Sequence, residues 1–295
     1  MPVDVVVVTY HSERHLPRCL TALQRGASVL VVDNASTDRS AGVAAELGAR
    51  VVRNPENRGF AAAANQGARL GRAGLILFLN PDAMLRADDL DRLVSALDAD
   101  PGLFAVGPRL RHPDGREQRA WWPFPSPFAT WVEALGLHLL RPLPRAADQA
   151  PGFVVGACML VRRDVFEALG GFDERFWLYG EEADLCRRAW GCGWRVRLAT
   201  EATAEHLGGA SGEQVRGLAF EHFQRGVEHF ILKHHGRAAL VVHRVGLLVG
   251  SVLRLPGLAG WSRSGPAATA RLSHRRAVAR RLAQVLVRHP ARVTP

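Results

Sequence analysis

Three carboxylates stand within four residues at Glu181, Glu182 and Asp184, in the stretch WLYGEEADLCRRAWGCGW. Acids in the first turn of a helix are favoured by its dipole by a few tenths to about 1 kcal/mol. Asp184 and Arg188 are spaced as an ordinary surface i, i+4 pair, worth about 0.2–0.5 kcal/mol. Helix electrostatics do not account for the aromatic lead-in Phe176, Trp177 and Tyr179. An apolar wall beside a carboxylate raises its pKa and makes it a better general base. Elsewhere, Asp82 in FLNPDAML ends an apolar run and follows a proline. A carboxylate so placed suits Mg²⁺ or Mn²⁺, which take one or two carboxylates and complete their shell with phosphate and water. His206, in ATAEHLGGAS, is a lone histidine among small residues. By itself it reads as a loop histidine, although imidazole suits Mn²⁺. Asp33 in VVDNAST can accept from a nucleoside or begin an Asx turn, and Arg58 precedes a glycine and a helix start that suits phosphate.

These residues need a frame, and the first hundred residues supply one. Apolar runs at 3–10, 28–34, 49–54 and 74–80 read as strands. Between them, HLPRCLTALQ, STDRSAGVAAELG with Ser36 as its N-cap, and GFAAAANQGARLG read as helices, followed by a helix over 87–100. Alternating strands and helices imply a right-handed doubly wound α/β sheet, which binds ligands beyond the carboxyl ends of its strands. Those ends read Thr9-Tyr10, Asp33-Asn34, Asn54-Pro55 and Asn80-Pro81-Asp82. Asn and Asp are common turn residues, but four polar ends together favour a site. Residues 110–131, with three tryptophans and four prolines, read as a long loop or lid. Order resumes with a strand after 152 and a helix from Asp164 to Leu169.

Composition narrows the classes. The chain has 295 residues, 47% hydrophobic and 22% charged, enough for one large domain or one with an appendage. Its four cysteines form no CxxC pair, which argues against a zinc site or disulfide framework and for a reducing cytoplasm. The N-terminus reads as a strand, not a signal peptide. There is neither GxGxxG nor GxxxxGK[ST], which counts against a dinucleotide enzyme or a P-loop nucleotidase. The net charge of +10 is uneven: residues 1–228 carry −2, whereas 229–295 carry +12 with no acid. Such a tail implies an anionic partner.

Taken in order, VVVVTYH, VVDNASTD, NRGFAAAANQG, LNPDA, GACMLVRR, GGFDERFWLYGEEADLCRR and a late His resemble the family-2 glycosyltransferases, over about residues 3–210. The subgroup resembles bacterial rhamnosyltransferase-like enzymes of cell-surface and lipid-linked glycans. The resemblance implies a GT-A fold: a Rossmann-like, mostly parallel α/β sheet with flanking helices over 1–228, then a basic helical appendage over 229–295. It implies inverting transfer from a nucleotide-diphosphate sugar to an acceptor hydroxyl, with Mn²⁺ or Mg²⁺ as cofactor. By similarity, Thr9, Tyr10 and Asp33 hold the nucleoside, and Arg58 and Asn65 lie near the diphosphate. The family's metal-binding DxD stands here as Asn80-Pro81-Asp82, so Asp82 is the main carboxylate on the metal and His206 a second ligand. The base position falls on Glu182, one methylene longer than the usual Asp, with Glu181 and Asp184 as neighbours able to share the role.

The tail, apolar but interrupted over 238–261 and Arg-rich after it, reads as amphipathic helices on an anionic inner membrane face. The expected location is cytoplasmic and peripheral on that membrane. Two other readings stay open. A sugar nucleotidyltransferase wants a Gly-rich basic loop after the first strand, where TYHSERH stands. A basic nucleic-acid-binding protein wants basic and aromatic residues interleaved on the folded part, which carries −2.

Overall fold

The structure, a computed structural model, describes residues 2–23, 27–137, 152–208 and 216–253. The described residues form two compact units, one from residues up to Phe124 together with 152–227, the other from 125–137 and 228–253.

The first unit is built on a nine-stranded sheet. Strands β1 (Val3–Thr9), β2 (Ser28–Asp33), β3 (Arg50–Arg53) and β4 (Leu75–Leu79) pair in parallel, in the order β3-β2-β1-β4. All five residues of β4 are buried, as are Val5, Val6 and Val7 of β1. Both faces of these strands are therefore covered, which is why they are unbroken apolar runs rather than alternating ones. The connections are α1 (Leu16–Thr21), α2 (Ser40–Glu46) and α3 (Gly59–Leu70). Helix α2 does not start at Ser36. The Ser36 hydroxyl instead accepts from the His11 N–H at 3.0 Å, and the Ser36 N–H donates to Asp33 Oδ1 at 3.3 Å.

Beyond β4 the sheet becomes mixed. The strand β5 (Ala83–Leu85) is followed by α4 (Ala87–Asp98) and by β6 (Leu103–Arg111). Residues 110–131 are not one loop. A hairpin returns from β6 through β7 (Glu117–Gln118), β8 (Trp121–Trp122) pairs with β9 (Phe153–Val154), and α5 (Pro127–Ala134) is capped by the Ser126 hydroxyl accepting from Ala129 N–H at 3.1 Å. Strand β10 (Cys158–Arg162) lies antiparallel between β4 and β6, and helix α6 (Arg163–Ala168) follows. Helix α7 (Glu181–Gly191) leads to β11 (Arg195–His206), parallel to β6 and antiparallel to β5. Sequence periodicity singles out neither β6 nor β11.

Helix α8 (Arg216–Leu253) is interrupted at Gly236, where φ is 84°. The helix up to Val227 belongs to the first unit, and from Glu228 onward, with α5, to the other. The Arg-rich stretch from 254 to 295 lies outside the described residues.

Candidate active site

The parallel register fixes which residues meet. Thr9 pairs with Asp33, and Asp33 with Arg53, so the last residues of β1, β2 and β3 stand in a row. Asn34 and Asn54 knit the following loops together: Asn54 Nδ2 donates to Asn34 Oδ1, and Asn34 Nδ2 donates to the Gly59 carbonyl, both at 2.9 Å. Inside this frame two polar atoms are buried without a hydrogen-bond partner, Thr9 Oγ1 and Asp33 Oδ2. Asp33 spends its other oxygen on the Ser36 turn, and Arg53 Nε is 3.5 Å from the open one. Buried oxygens are nearly always paired, so two open ones at adjacent strand ends mark a place for a ligand's donors. Tyr10 is exposed beside them, with its ring edge-on to His11 at 4.2 Å.

The end of β4 leads to the second cluster. Strand β11 pairs with β5 so that His206 faces Ala83, which sets its imidazole beside Asp82. His206 Nε2 is 3.4 Å from Asp82 Oδ1, and its Nδ1 lies 2.8 Å from Gln118 Oε1. An amide oxygen can only accept, so Nδ1 donates to Gln118 and Nε2 is the ring nitrogen that faces Asp82. A metal-binding histidine is oriented by this kind of second hydrogen bond. Burial pushes the Asp82 carboxyl up, but the hydrogen bond and charge of His206 outweigh it and hold it below its ordinary value. Arg14, His15, Arg18 and Glu205 line the same cleft, and Arg18 pairs with Glu205 at 2.6 Å. Sequence reasoning did not single out Gln118, Arg14, His15 or Arg18. Only the dense HSERHLPR run hinted at the last three.

The third cluster is the start of α7. Gly180 is its N-cap, at φ 96°, and Tyr179 before it sits at φ 69°. Among the described residues the non-glycine positive φ values fall at His11, Ala35 and Tyr179. These three lie in the loops after β1 and β2 and before α7, where strained backbone commonly marks a functional site. Glu182 is half-buried, and its Oε2 accepts from Gly180 N–H at 3.3 Å. Burial raises its pKa, against hydrogen bonds from the Gly180 and Gly156 backbone. Glu181 is buried, with Oε2 unpartnered. Burial and then the charge of Glu182 raise its pKa well above the ordinary range. The Tyr179 hydroxyl is pushed up by burial first, then by the charges of Glu181, Glu182 and Asp82. Tyr179 therefore stands within electrostatic reach of both the Asp82 cluster and the two glutamates.

Asp184 does not join them, nor is it a surface residue. It is fully buried, and its Oδ2 accepts from Arg188 Nε at 2.8 Å. Arg188 also donates to the carbonyls of Leu169 and Gly171, so the pair fastens α7 to the turn after α6. Asn65 is likewise held by protein partners. Its Nδ2 donates to the Phe172 carbonyl and to Glu174, and its Oδ1 accepts from Phe172 N–H. Arg58 is exposed at the start of α3. Asn80, just past β4, donates its N–H to the Ala157 carbonyl.

The profile of glycosyl transferase family 2 matches residues 4–170, more than half of the chain. The chain belongs to glycosyl transferase family 2. This membership decides against the nucleotidyltransferase and nucleic-acid readings. A second profile, the N-terminal domain of galactosyltransferase, matches residues 143–207, the stretch that carries the α7 carboxylates. Over 233 residues this glycosyltransferase is 33% identical to an N-acetylglucosaminyl-diphospho-decaprenol L-rhamnosyltransferase of Mycobacterium tuberculosis, covering 68% of this chain and 75% of that protein. In fold it is similar to the mannosyltransferase PcManGT of Pyrobaculum calidifontis, solved with GDP-Man and Mn²⁺, with TM-score 0.61 and 19% identity over 94% of this chain and 80% of that one. It is also similar to glucosyl-3-phosphoglycerate synthase of M. tuberculosis, solved with Mg²⁺ and UDP, with TM-score 0.55 and 17% identity over 79% and 78%. The fold is that of the GT-A enzymes.

Proposed function

We propose that this glycosyltransferase moves a sugar, rhamnose by analogy with its relative, from a nucleotide-diphosphate donor to a hydroxyl of a lipid-linked or cell-surface glycan, with inversion. The transfer is assigned to residues 1–228. The observation that carries the reading is the pairing of an ionised Asp82 beside an oriented His206 with a half-buried Glu182 of raised pKa. The open oxygens of Thr9 and Asp33 suit the N–H and hydroxyl donors of a nucleoside.

Asp82 and His206 fit a divalent cation. They offer one carboxylate and one imidazole nitrogen, which is enough for Mn²⁺ or Mg²⁺ when donor phosphates complete the shell. When bound there, the cation would supply positive charge for the leaving diphosphate. Glu182 takes the proton of the acceptor hydroxyl. The freed oxygen attacks the anomeric carbon as the bond to the diphosphate breaks, and the electron pair leaves on the phosphate oxygen. Arg14 on the cleft wall, with Arg58, adds cationic charge to the leaving side. Burial and the charge of Glu182 raise the Glu181 pKa well above the ordinary carboxylate range, which favours Glu182 as the ionised member of the pair.

A panel of nucleotide sugars tests the reading, scored for binding and for slow donor hydrolysis with and without Mn²⁺ or Mg²⁺. One donor is expected to bind in a metal-dependent way, and Asp82→Ala should weaken it about tenfold or more. Metal-independent binding unchanged by Asp82→Ala would overturn the metal assignment.

A further inference from the structure

The second unit is apolar on the wrong side. After Gly236, helix α8 exposes Val241, Val242, Val245, Val252 and Leu253. Its buried face holds Leu240 together with His243, Gly246, Gly250 and Ser251, mostly small or polar residues. A helix on a water-soluble protein shows the opposite pattern, apolar inward and polar outward. Between Ala238 and Leu253 the only charged residue is Arg244, and Glu228 neutralises it at 2.7 Å. Helix α5 follows the same inversion. It buries Thr130 and Ala134 and exposes Phe128, at 78%, with Leu135 and Leu137 exposed just after it.

The two helices meet as helices meet in a bilayer. Gly246 and Gly250 form a small-xxx-small step. A side chain at Gly246 would strike the Trp131 ring at 3.0 Å, and one at Gly250 would strike Ala134 at 2.9 Å. Close backbone approach over such a step, reinforced by polar bonds between helices, is how helices associate where the hydrophobic effect gives no help. Thr130 Oγ1 lies 2.6 Å from His243 Nδ1, and Trp131 Nε1 donates to the Val242 carbonyl at 3.1 Å.

We propose that α5 and the second part of α8 insert their exposed faces, Phe128, Leu135, Val241, Val245 and Val252, into the acyl region of an anionic bilayer, rather than lying on its surface. Two features select lipid over a second copy of the chain. Residues 229–295 carry +12 with no acid, so two copies docked through this face would bring like charge together. The chain after Leu253 holds nine arginines and no acid, a composition that suits anionic headgroups. The helix from Gly236 to Leu253 reaches about 25 Å, most of a hydrocarbon layer. This insertion deepens the proposed role on a lipid-linked acceptor. It is read without turnover, so its failure leaves the transferase reading standing.

The test places an environment-sensitive dye on Val245→Cys in the full chain, with the exposed Cys192 replaced by Ser. The vesicles are phosphatidylethanolamine with phosphatidylglycerol. The emission is expected to shift blue on mixing, and nitroxides deep on the acyl chains should quench it about twofold or more beyond headgroup nitroxides. Stronger headgroup quenching would mean surface adsorption and overturn the proposal. A blue shift without vesicles would mean that a second copy, or the chain itself, covers the face, and would also overturn it. A second variant, Val241→Asp with Val245→Asp, alters exposed positions only. It should keep its circular dichroism and lose at least about tenfold in vesicle partition, and unchanged partition would refute insertion.

Discussion

Glu182, the proposed base, has one carboxylate oxygen held by the Gly180 N–H and its pKa raised by burial. Glu182→Gln removes the proton acceptor while keeping the shape. Turnover should fall by about 10²–10⁴, the usual worth of general base catalysis, while donor binding changes little. Near-normal turnover would refute the assignment. A base works only when ionised, so kcat/KM should rise with pH through an apparent pKa above the ordinary 4.5 of a glutamate. Glu181 obeys the same sign in stability. Its folded pKa is raised, so the folded state holds its proton more tightly than the unfolded chain, and the stability this gives is lost as pH rises through the folded value. Glu181→Gln should therefore stabilise the protein near neutral pH, on the order of 1–3 kcal/mol for a buried group without a partner. In thermal melts the gain should vanish toward pH 4. The approach of His206 to Asp82 was legible because each sits in a motif with a chemical reason for its residue type. Gln118 was not, because it reaches His206 from a two-residue strand with no periodicity of its own. The ties that Asn65 and Asp184 make between loops were not legible, because a polar residue in a motif looks the same whether it meets a ligand or joins two loops.

Among the elements, the start of α7 depends on the first part of α8. The Trp177 ring stacks on His222 at 4.5 Å, and Tyr179 meets Phe223 edge-on at 6.2 Å. Gly226 lies so close that any side chain there would collide with the Tyr179 carbonyl. On the other side, Gly59 lets the Trp177 backbone close onto α3, where Phe60 N–H donates to the Trp177 carbonyl at 2.7 Å. The segment that carries Tyr179 and the two glutamates is thus gripped by two helices through glycines. Gly226→Val should displace it and cost about 10²-fold in kcat, as misplaced catalytic groups do, with donor binding through Thr9 and Asp33 retained. An equal loss of both would show instead that the fold had failed. The strands that bring these parts together were half legible. In the parallel half β4 and the valines of β1 are apolar runs because both faces are buried, whereas the edge strand β3 is Arg-Val-Val-Arg and has no buried residue. Strand β6 contains Gly107 and Pro108, and β11 mixes arginines and glutamates into an alternating pattern with an irregular register after Ala199. Neither matches the apolar-run signal, although β11 delivers His206 to the site.

On the scale of the whole chain, charge and apolar surface are divided along the sequence. Residues 1–228 carry −2, and the rest carry +12. Within that basic stretch the exposed valines of α8 come first and the nine-arginine segment after 253 follows. The two should contribute to membrane binding in ways that salt separates. Headgroup attraction acts over a Debye length, about 10 Å at 0.1 M salt and shorter above it, and is worth about 1 kcal/mol per basic residue near the surface. Insertion of valines and Phe128 depends on apolar area and is little affected by salt. The full chain should bind anionic vesicles tightly in dilute buffer and lose affinity steeply toward 0.5 M salt, down to a floor set by insertion. A chain ending at Leu253 should start near that floor and stay there across the same range. Flotation of both chains at several salt concentrations measures the difference. Parallel salt curves would mean that the arginines are engaged elsewhere. A floor of zero in both chains would mean that the apolar face of α5 and α8 never enters the bilayer.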